Sequence, residues 1–446
     1  MDNVLLQFYE KAKTFNKITN NLYPKYNVKK GLRNEDGTGV LIGLTKVADV
    51  VGYTFENGNK TDAQGKLYYR GIELREIIHG CDNSRCNGYE ETCFLLLFGY
   101  LPTKEELNQF CAYIREHYEI PNDFLETKFL HMPGKNLMNR LQQTVLSLYD
   151  YDDSPDDTSI ENTLRQGLNI LAKLPSIICY AYQSKMHRYY GKSLVIHPAQ
   201  KNLSVAQNIL YMIRKDHHFT ELEAKLLDMM LIVHADHGGG NNSTFTNVVI
   251  SSTGTDFYSS MVGAIGSMKG PRHGGANLKV NDMMKTVIKE IGYSEDEEEI
   301  KALIYRILRK EFYDQSGLIY GMGHAIYTLS DPRSEVLQEY IEKLAESKNR
   351  GKEYAFYKRF EKCAEEIMWK EKGIHISSNV DFYSGFVYNM MQIPEDVFTP
   401  LFVMARTIGW LAHNIENKAY DGRIMRPATK YVGKIREYEK MEDRSK

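Results

Sequence analysis

Eight side chains in the second half of this sequence have the types and settings that acid–base chemistry on a small anion requires. Three are histidines beside glycine. His237 precedes Gly238-Gly239-Gly240, His273 sits inside Gly270-Pro271-Arg272-His273-Gly274-Gly275, and His324 follows Gly321-Met322-Gly323. Glycine lets backbone or ligand come close, so an imidazole held there can meet a bound molecule. Asp381 stands in Asn379-Val380-Asp381-Phe382-Tyr383-Ser384-Gly385, a carboxylate among aromatics at a helix start. Partial removal from water makes such a group a general-base candidate; a helix N-cap is the plainer alternative. Arg333 follows Asp331-Pro332 in the first turn of a helix, where a cation opposes the dipole by up to about 1 kcal/mol. An anion held jointly with the helix N-terminus accounts for it; an ordinary surface arginine is the alternative. Arg406 is the only charge in Thr399 to Ala412, TPLFVMARTIGWLA. A helix apolar on every face is buried, and a buried guanidinium needs an anion. No acid lies one turn away, which favours a ligand. Arg423 and Arg426 follow on a short segment.

Together these residues define a reaction class. A carboxylate takes a proton from a carbon beside a carbonyl, and a neutral imidazole donates to the enolate oxygen that develops. Arginines bind carboxylates through two parallel hydrogen bonds, so two or three of them suit a small dicarboxylate. His234 and His237 have the i, i+3 spacing of a metal pair, but no third ligand stands at a matching spacing; a satisfied core histidine is the alternative. The sequence has no Walker loop, dinucleotide fingerprint or nucleophile elbow.

The elements that must position these groups are mostly helical. Leu226, Met230, Val233 and His237 form one stripe of a helix spanning 220 to 237, ended by the glycine run. Asp256 opens the next helix, with Gly263, Ser267 and Gly270 as a small-residue side. Ser294 begins a capping box for a helix to about Phe312, Asp331 and Pro332 open another, and Thr399-Pro400 start the apolar one. Residues 1 to 30 are amphipathic. Two β-rich runs between 49 and 71 flank a turn and predict a hairpin, with Val248-Val249-Ile250 as a further strand signal. Helical faces continue from 88 to 99, after Pro102-Thr103, and over 202 to 216. The acidic run from Asp150 to Asp157 reads as a solvated loop. The expected fold class is all-α with a minor N-terminal β-hairpin.

Composition narrows the setting. The chain has 446 residues and a formal net charge of −2, room for two or three domains and no electrostatic case for nucleic acid. It has no apolar run of membrane-spanning length and no leader-like amino terminus. Its six cysteines are scattered, and Cys81 and Cys86 are too far apart for a tight zinc knuckle, so a cytoplasmic location is expected.

The order of motifs resembles the citrate synthase family. The matches are HADH (234–237) before STFT, GPRHGGAN (270–277), GMGHAIY with DPR (321–333), NVDFYSG (379–385), ARTIGWLAH (405–413) and Arg426-Pro427 with Tyr431-Val432-Gly433, over about 65 to 435. The resemblance implies a multi-helical fold with a large domain (1–277 and 386–446) and a small domain (278–385) that closes over the site. It implies that Asp381 abstracts a methyl proton of acetyl-CoA, that His273 stabilises the enol, and that His324 polarises the oxaloacetate ketone. His237, Arg333 and Arg406 would hold the oxaloacetate carboxylates, with Arg426 supplied by the second subunit of a homodimer. No permanently bound cofactor and no metal are implied; acetyl-CoA is a co-substrate. Three positions depart from the family pattern. Gly238 replaces an acid of many bacterial relatives, Thr328 replaces a basic residue that meets a CoA phosphate, and Arg272 stands where leucine is common. Arg272 is thus the expected CoA contact, and its charge is expected to bias His273 towards the neutral form. Alternatives are a 2-methylcitrate synthase using propionyl-CoA, a metal-dependent hydrolase on His234 and His237, or a non-catalytic CoA-binding protein.

Overall fold

The computed structural model describes residues 3–56, 59–81, 87–420 and 422–444. It divides into two compact units, Met1–Ile42 with Met425–Lys446, and Gly43–Ile424. The first unit carries the helix Asn3–Phe15 and the short turn Leu22–Lys25, so the amphipathic reading of the first 30 residues holds in part.

The second unit begins with the expected hairpin. Strands β1 (Ala48–Glu56) and β2 (Asn59–Tyr69) pair antiparallel, with Val50 opposite Leu67 and a bulge between Val51 and Tyr53. A two-residue strand β3 (Ile72–Glu73), which the sequence did not announce, completes the sheet. Gly52 lies at the bulge because the backbone of Ile326 presses there: a Cβ on Gly52 would stand 2.4 Å from the Ile326 carbonyl oxygen. Thr328 Oγ1 donates to the Gly52 carbonyl at 3.1 Å, and the Gly65 amide donates to Ser330 Oγ at 3.2 Å. The hairpin therefore clamps the segment that follows His324.

Among the described residues, everything after the sheet is helical or loop apart from an isolated bridge between Met322 and Ser378. The centre is the helix Glu395–Ala419, buried over nearly its whole length, with Arg406 and Trp410 both at 0% exposure. It packs against Gly88–Phe98, Ile160–Tyr190, Glu221–His234, Asn242–Ser251 and Phe257–Lys269. Apolar side chains on every face fit that position, since the helix has neighbours all round. Among the described residues no helix is long and apolar enough to cross a membrane.

Several boundaries differ from expectation. The central helix starts at Glu395 and contains Pro400, so the proline is not at its start. The helix carrying the Leu226, Met230 and Val233 stripe ends at His234, which leaves His237 in the following loop. Val248-Val249-Ile250 is helical, inside Asn242–Ser251. The missing side chain of Gly263 lets Ile250 lie directly on the neighbouring helix, and that packing overrides β-propensity. Asp296, not Ser294, caps the helix Glu297–Leu308, its side chain accepting from the Glu298 amide. Asp152, in the acidic run, is not solvated. It accepts from Arg165 at 2.6 Å and from the Tyr258 hydroxyl at 2.7 Å. Asp256 and Asp331 cap their helices as expected, and Pro332 follows Asp331 in the first turn.

Candidate active site

The site is built around a guanidinium that the protein leaves half unsatisfied. Arg406 points from the central helix into the core; its Nε donates to the His234 carbonyl at 2.7 Å, and its face lies 4.9 Å from the Phe402 ring centre. Its Nη1 and Nη2 are buried and have no partner. Burial brings its pKa down to about 10 despite the nearby Asp236 carboxylate. No carboxylate touches it, as the sequence led one to expect, and an anionic ligand would complete it.

The loop after Glu221–His234 supplies the next groups. His234 belongs to the core: its Nδ1 pairs with the Met230 carbonyl at 2.7 Å and its ring packs on Phe402 at 4.4 Å. Burial pushes it down to about 3. Those contacts occupy the ring, and among the described residues no three His, Cys, Asp or Glu side chains cluster as metal ligands would, so the metal-pair reading finds no support. His237 is 5% exposed and its Nε2 has no partner. Burial holds it neutral, reinforced by the charge of Arg333 and its proximity to His324 and Arg406. Two residues absent from the sequence reading fix this loop. The Tyr69 hydroxyl donates to the carbonyls of Ile232 and Asp236, both at 3.1 Å. Asp236, fully buried, takes His413 Nε2 at 3.2 Å and the Gly238 amide at 2.9 Å, and its Oδ1 is unpartnered.

His273 lies half-buried in its glycine loop, its Nε2 3.0 Å from Ser243 Oγ. Burial, with Arg406 adding, pushes its pKa down to about 4, so the ring is neutral. The neutral form was expected from Arg272, but that residue is exposed and not the cause. Ser243 also accepts from Trp410 Nε1 at 3.2 Å and stands 2.8 Å from Asn241 Oδ1. With one proton and two acceptors in reach, this hydroxyl decides which His273 nitrogen is protonated.

His324 comes from the loop clamped by the hairpin. Its Nδ1 accepts the amides of Ile326 at 3.1 Å and Tyr327 at 3.3 Å, which leaves the neutral ring's proton on Nε2. Its ring lies 5.1 Å from that of His237 and stacks on Tyr327 at 4.8 Å. Gly321, with φ of 82°, allows the chain to turn tightly here, and a Cβ there would meet Phe382 Cα at 3.0 Å. The residue beside Asp381 is thus packed against the loop that carries His324.

Arg333 is 4% exposed and is not awaiting an anion alone. Asp331 grips it through Nε at 3.0 Å and Nη2 at 2.7 Å while also capping the helix. Burial works against both charges, yet the pair wins: Asp331 falls below the usual carboxylate range and Arg333 rises. The sequence reading assigned Asp331 to the cap and missed that its other oxygen holds the arginine two residues on. Asp381 lies in the first turn of Val380–Met390, where Asn379 is the cap. Its Oδ1 is buried without a partner. Burial pushes its pKa up to about 6, with Arg333 and Arg406 pulling the other way and Asp331 adding.

The structure therefore brings together six of the expected residues: His237, His273, His324, Arg333, Asp381 and Arg406. Arg272 is exposed, and Arg423 and Arg426 are exposed too, Arg426 in the other compact unit. Thr328, tied to the Gly52 carbonyl, serves the clamp. Cys86 lies outside the described residues, while Cys93, Cys111, Cys179 and Cys363 are buried thiols.

Comparison with known proteins agrees with this geometry. Residues 37–428 match the family model described as citrate synthase, C-terminal domain. The chain is 36% identical to the citrate synthase of Deinococcus radiodurans over 408 residues, 91% of this chain and 96% of that one. It is 31% identical to the 2-methylcitrate synthase of Shewanella oneidensis over 367 residues, 82% of this chain and 88% of that one. Among solved structures, citrate synthase from Pyrobaculum aerophilum superposes with a TM-score of 0.73 at 29% identity, covering 91% of this chain and 94% of that one.

Proposed function

The chain belongs to the citrate synthase family and is an enzyme of that type, and we propose that it joins acetyl-CoA to oxaloacetate and hydrolyses the resulting citryl-CoA to citrate and CoA. The observation that carries this reading is Arg406, at 0% exposure with two unpartnered nitrogens, beside an unpartnered His237 Nε2 and an unpartnered Asp381 oxygen. Dicarboxylate oxygens would satisfy the donors, and a methyl group beside a thioester carbonyl would present the proton for Asp381.

Asp381, with a pKa of about 6, is mostly ionised at neutral pH yet more basic than an ordinary carboxylate. It takes a proton from the acetyl methyl. His273 hydrogen-bonds the thioester oxygen as it becomes an enolate; donation from Nδ1 requires Ser243 to donate to Nε2. The enol carbon attacks the oxaloacetate ketone carbon, whose oxygen receives the proton on His324 Nε2. Water then cleaves the citryl thioester, releasing CoA. Arg333, Arg406 and His237 hold the carboxylates, with Arg426 contributed by the second subunit of a homodimer. Arg272, being exposed, is available to the CoA phosphates. A large domain (1–277 and 386–446) and a small one (278–385) close on the substrates. Its buried thiols suit a reducing cytoplasm.

The Shewanella relative supports a second reading, with propionyl-CoA as acyl donor. One methylene shifts selectivity by roughly 10- to 200-fold, which the site must express in kcat/KM. Initial rates of thiol release with oxaloacetate and each thioester decide between them. Acetyl-CoA is expected to be favoured within that range; a propionyl-CoA preference would reassign the enzyme, and no release with either would overturn both readings.

A further inference from the structure

We infer that Tyr327 binds the dicarboxylate substrate: its hydroxyl donates to a substrate oxygen while its ring holds His324 in place. This rests on the functional reading above.

Tyr327 lies between His324 and Asp331 in the clamped loop and is 1% exposed. Its ring stacks on His324 with an interplanar angle of 28° at 4.8 Å. His237 meets it edge-on, at 84° and 5.5 Å, and the Arg333 guanidinium lies 5.6 Å from its centre. Three site residues thus use this ring as a common wall. A phenylalanine would serve all three contacts.

The hydroxyl is what needs explaining. It is buried and has no hydrogen-bond partner. Tyr69, Tyr89, Tyr118 and Tyr383, equally deep, each have a partner: two carbonyls for Tyr69, those of Met404 and Ala405 for Tyr89, that of Leu203 for Tyr118 and the Glu361 carboxylate for Tyr383. An orphaned buried hydroxyl destabilises the empty protein, so its retention points to a partner that arrives with a ligand. The chemistry of that partner follows from the surroundings. Burial keeps the phenol protonated, so the group donates. The charges that act on it are Arg333, Asp331 and Arg406. The arginines offer only donors, and both Asp331 oxygens are engaged by Arg333. What is missing is an acceptor-rich anion, the same one that Arg406 lacks.

The test is Tyr327→Phe, with Tyr327→Leu as companion. For Tyr327→Phe, thermal unfolding without ligand should equal or exceed wild type. The KM for oxaloacetate should rise about ten- to a hundredfold, as expected for a lost hydrogen bond to a charged group, and by more than any fall in kcat. Oxaloacetate should raise its melting temperature less than it raises that of wild type. Tyr327→Leu should lose kcat as well, because His324 loses its stacking partner. A wild-type KM and full oxaloacetate stabilisation in Tyr327→Phe would overturn the inference while leaving the functional reading intact. Wild-type protein that does not respond to oxaloacetate would overturn the functional reading and this inference with it.

Discussion

Asp381 shows how far a single side chain can be carried from its ordinary behaviour. Its pKa stands near 6 against 3.8 for an unperturbed group, because burial disfavours the charge more than Arg333 and Arg406 favour it. The raised value means the folded state holds the proton more tightly than the unfolded chain. Stability is therefore lost as pH rises from about 4 to 6, and above that the carboxylate costs about 3 kcal/mol. Asp381→Asn should remove that cost. Its unfolding free energy should exceed wild type at pH 7 by up to about that amount and converge with it below pH 4, as denaturant titrations at several pH values will show. In the same variant kcat should fall by about 10²–10⁴ with oxaloacetate binding retained, and the wild-type acid limb of kcat/KM should fall near pH 6. A destabilised, fully active variant would remove Asp381 from the mechanism. The sequence singled out Asp381 as an acid among aromatics at a helix start, and the plainer N-cap alternative fails because Asn379 takes that position. The Tyr327 hydroxyl was not singled out, since a tyrosine two positions beyond Ala325 is indistinguishable from core until its missing partner is seen.

At the scale of elements, the helix Glu395–Ala419 is the post on which the site hangs. It presents the unpartnered Arg406 nitrogens to the site, Trp410 to Ser243 and thereby to His273, and His413 to Asp236. That a helix apolar on every face is buried followed from its sequence, and its Arg406 is the charge left with two unpartnered nitrogens. Its start did not follow: Thr399-Pro400 imitates an N-terminus, whereas Glu395 and Asp396 supply the acidic first turn. The Asp331–Arg333 pair was hidden for a related reason, since one carboxylate both caps the helix and holds the arginine. The two arginines should accordingly respond differently to loss. Arg406→Leu should abolish oxaloacetate affinity while leaving ligand-free stability equal or higher, because an uncompensated charge leaves the core. Thermal unfolding with and without oxaloacetate checks both halves. A variant that unfolds, beside a wild type indifferent to oxaloacetate, would make Arg406 a structural residue.

Across the whole molecule, the site gathers residues from positions 237 to 406, and the hairpin of residues 48–69 presses on the loop that carries His324. Sequence order gave the parts and their chemistry, but no spacing along the chain reveals that Gly52 and Gly65 face the 326–330 segment. The number of unpartnered buried atoms has a consequence for order of binding. Arg406, His237 and Tyr327 all carry buried atoms without partners; on the proposed reading the dicarboxylate supplies them, so oxaloacetate should bind first and favour the closed arrangement of the proposed domains. The proposed closure would then set Asp381 and His273 on opposite sides of the acetyl methyl, protecting the thioester from hydrolysis before its partner is in place. The most direct measurement is calorimetric affinity for an unreactive thioether analogue of acetyl-CoA, with and without saturating oxaloacetate. A site completed by its first substrate predicts tightening of about 5- to 150-fold when oxaloacetate is present; equal affinity in both conditions would contradict it.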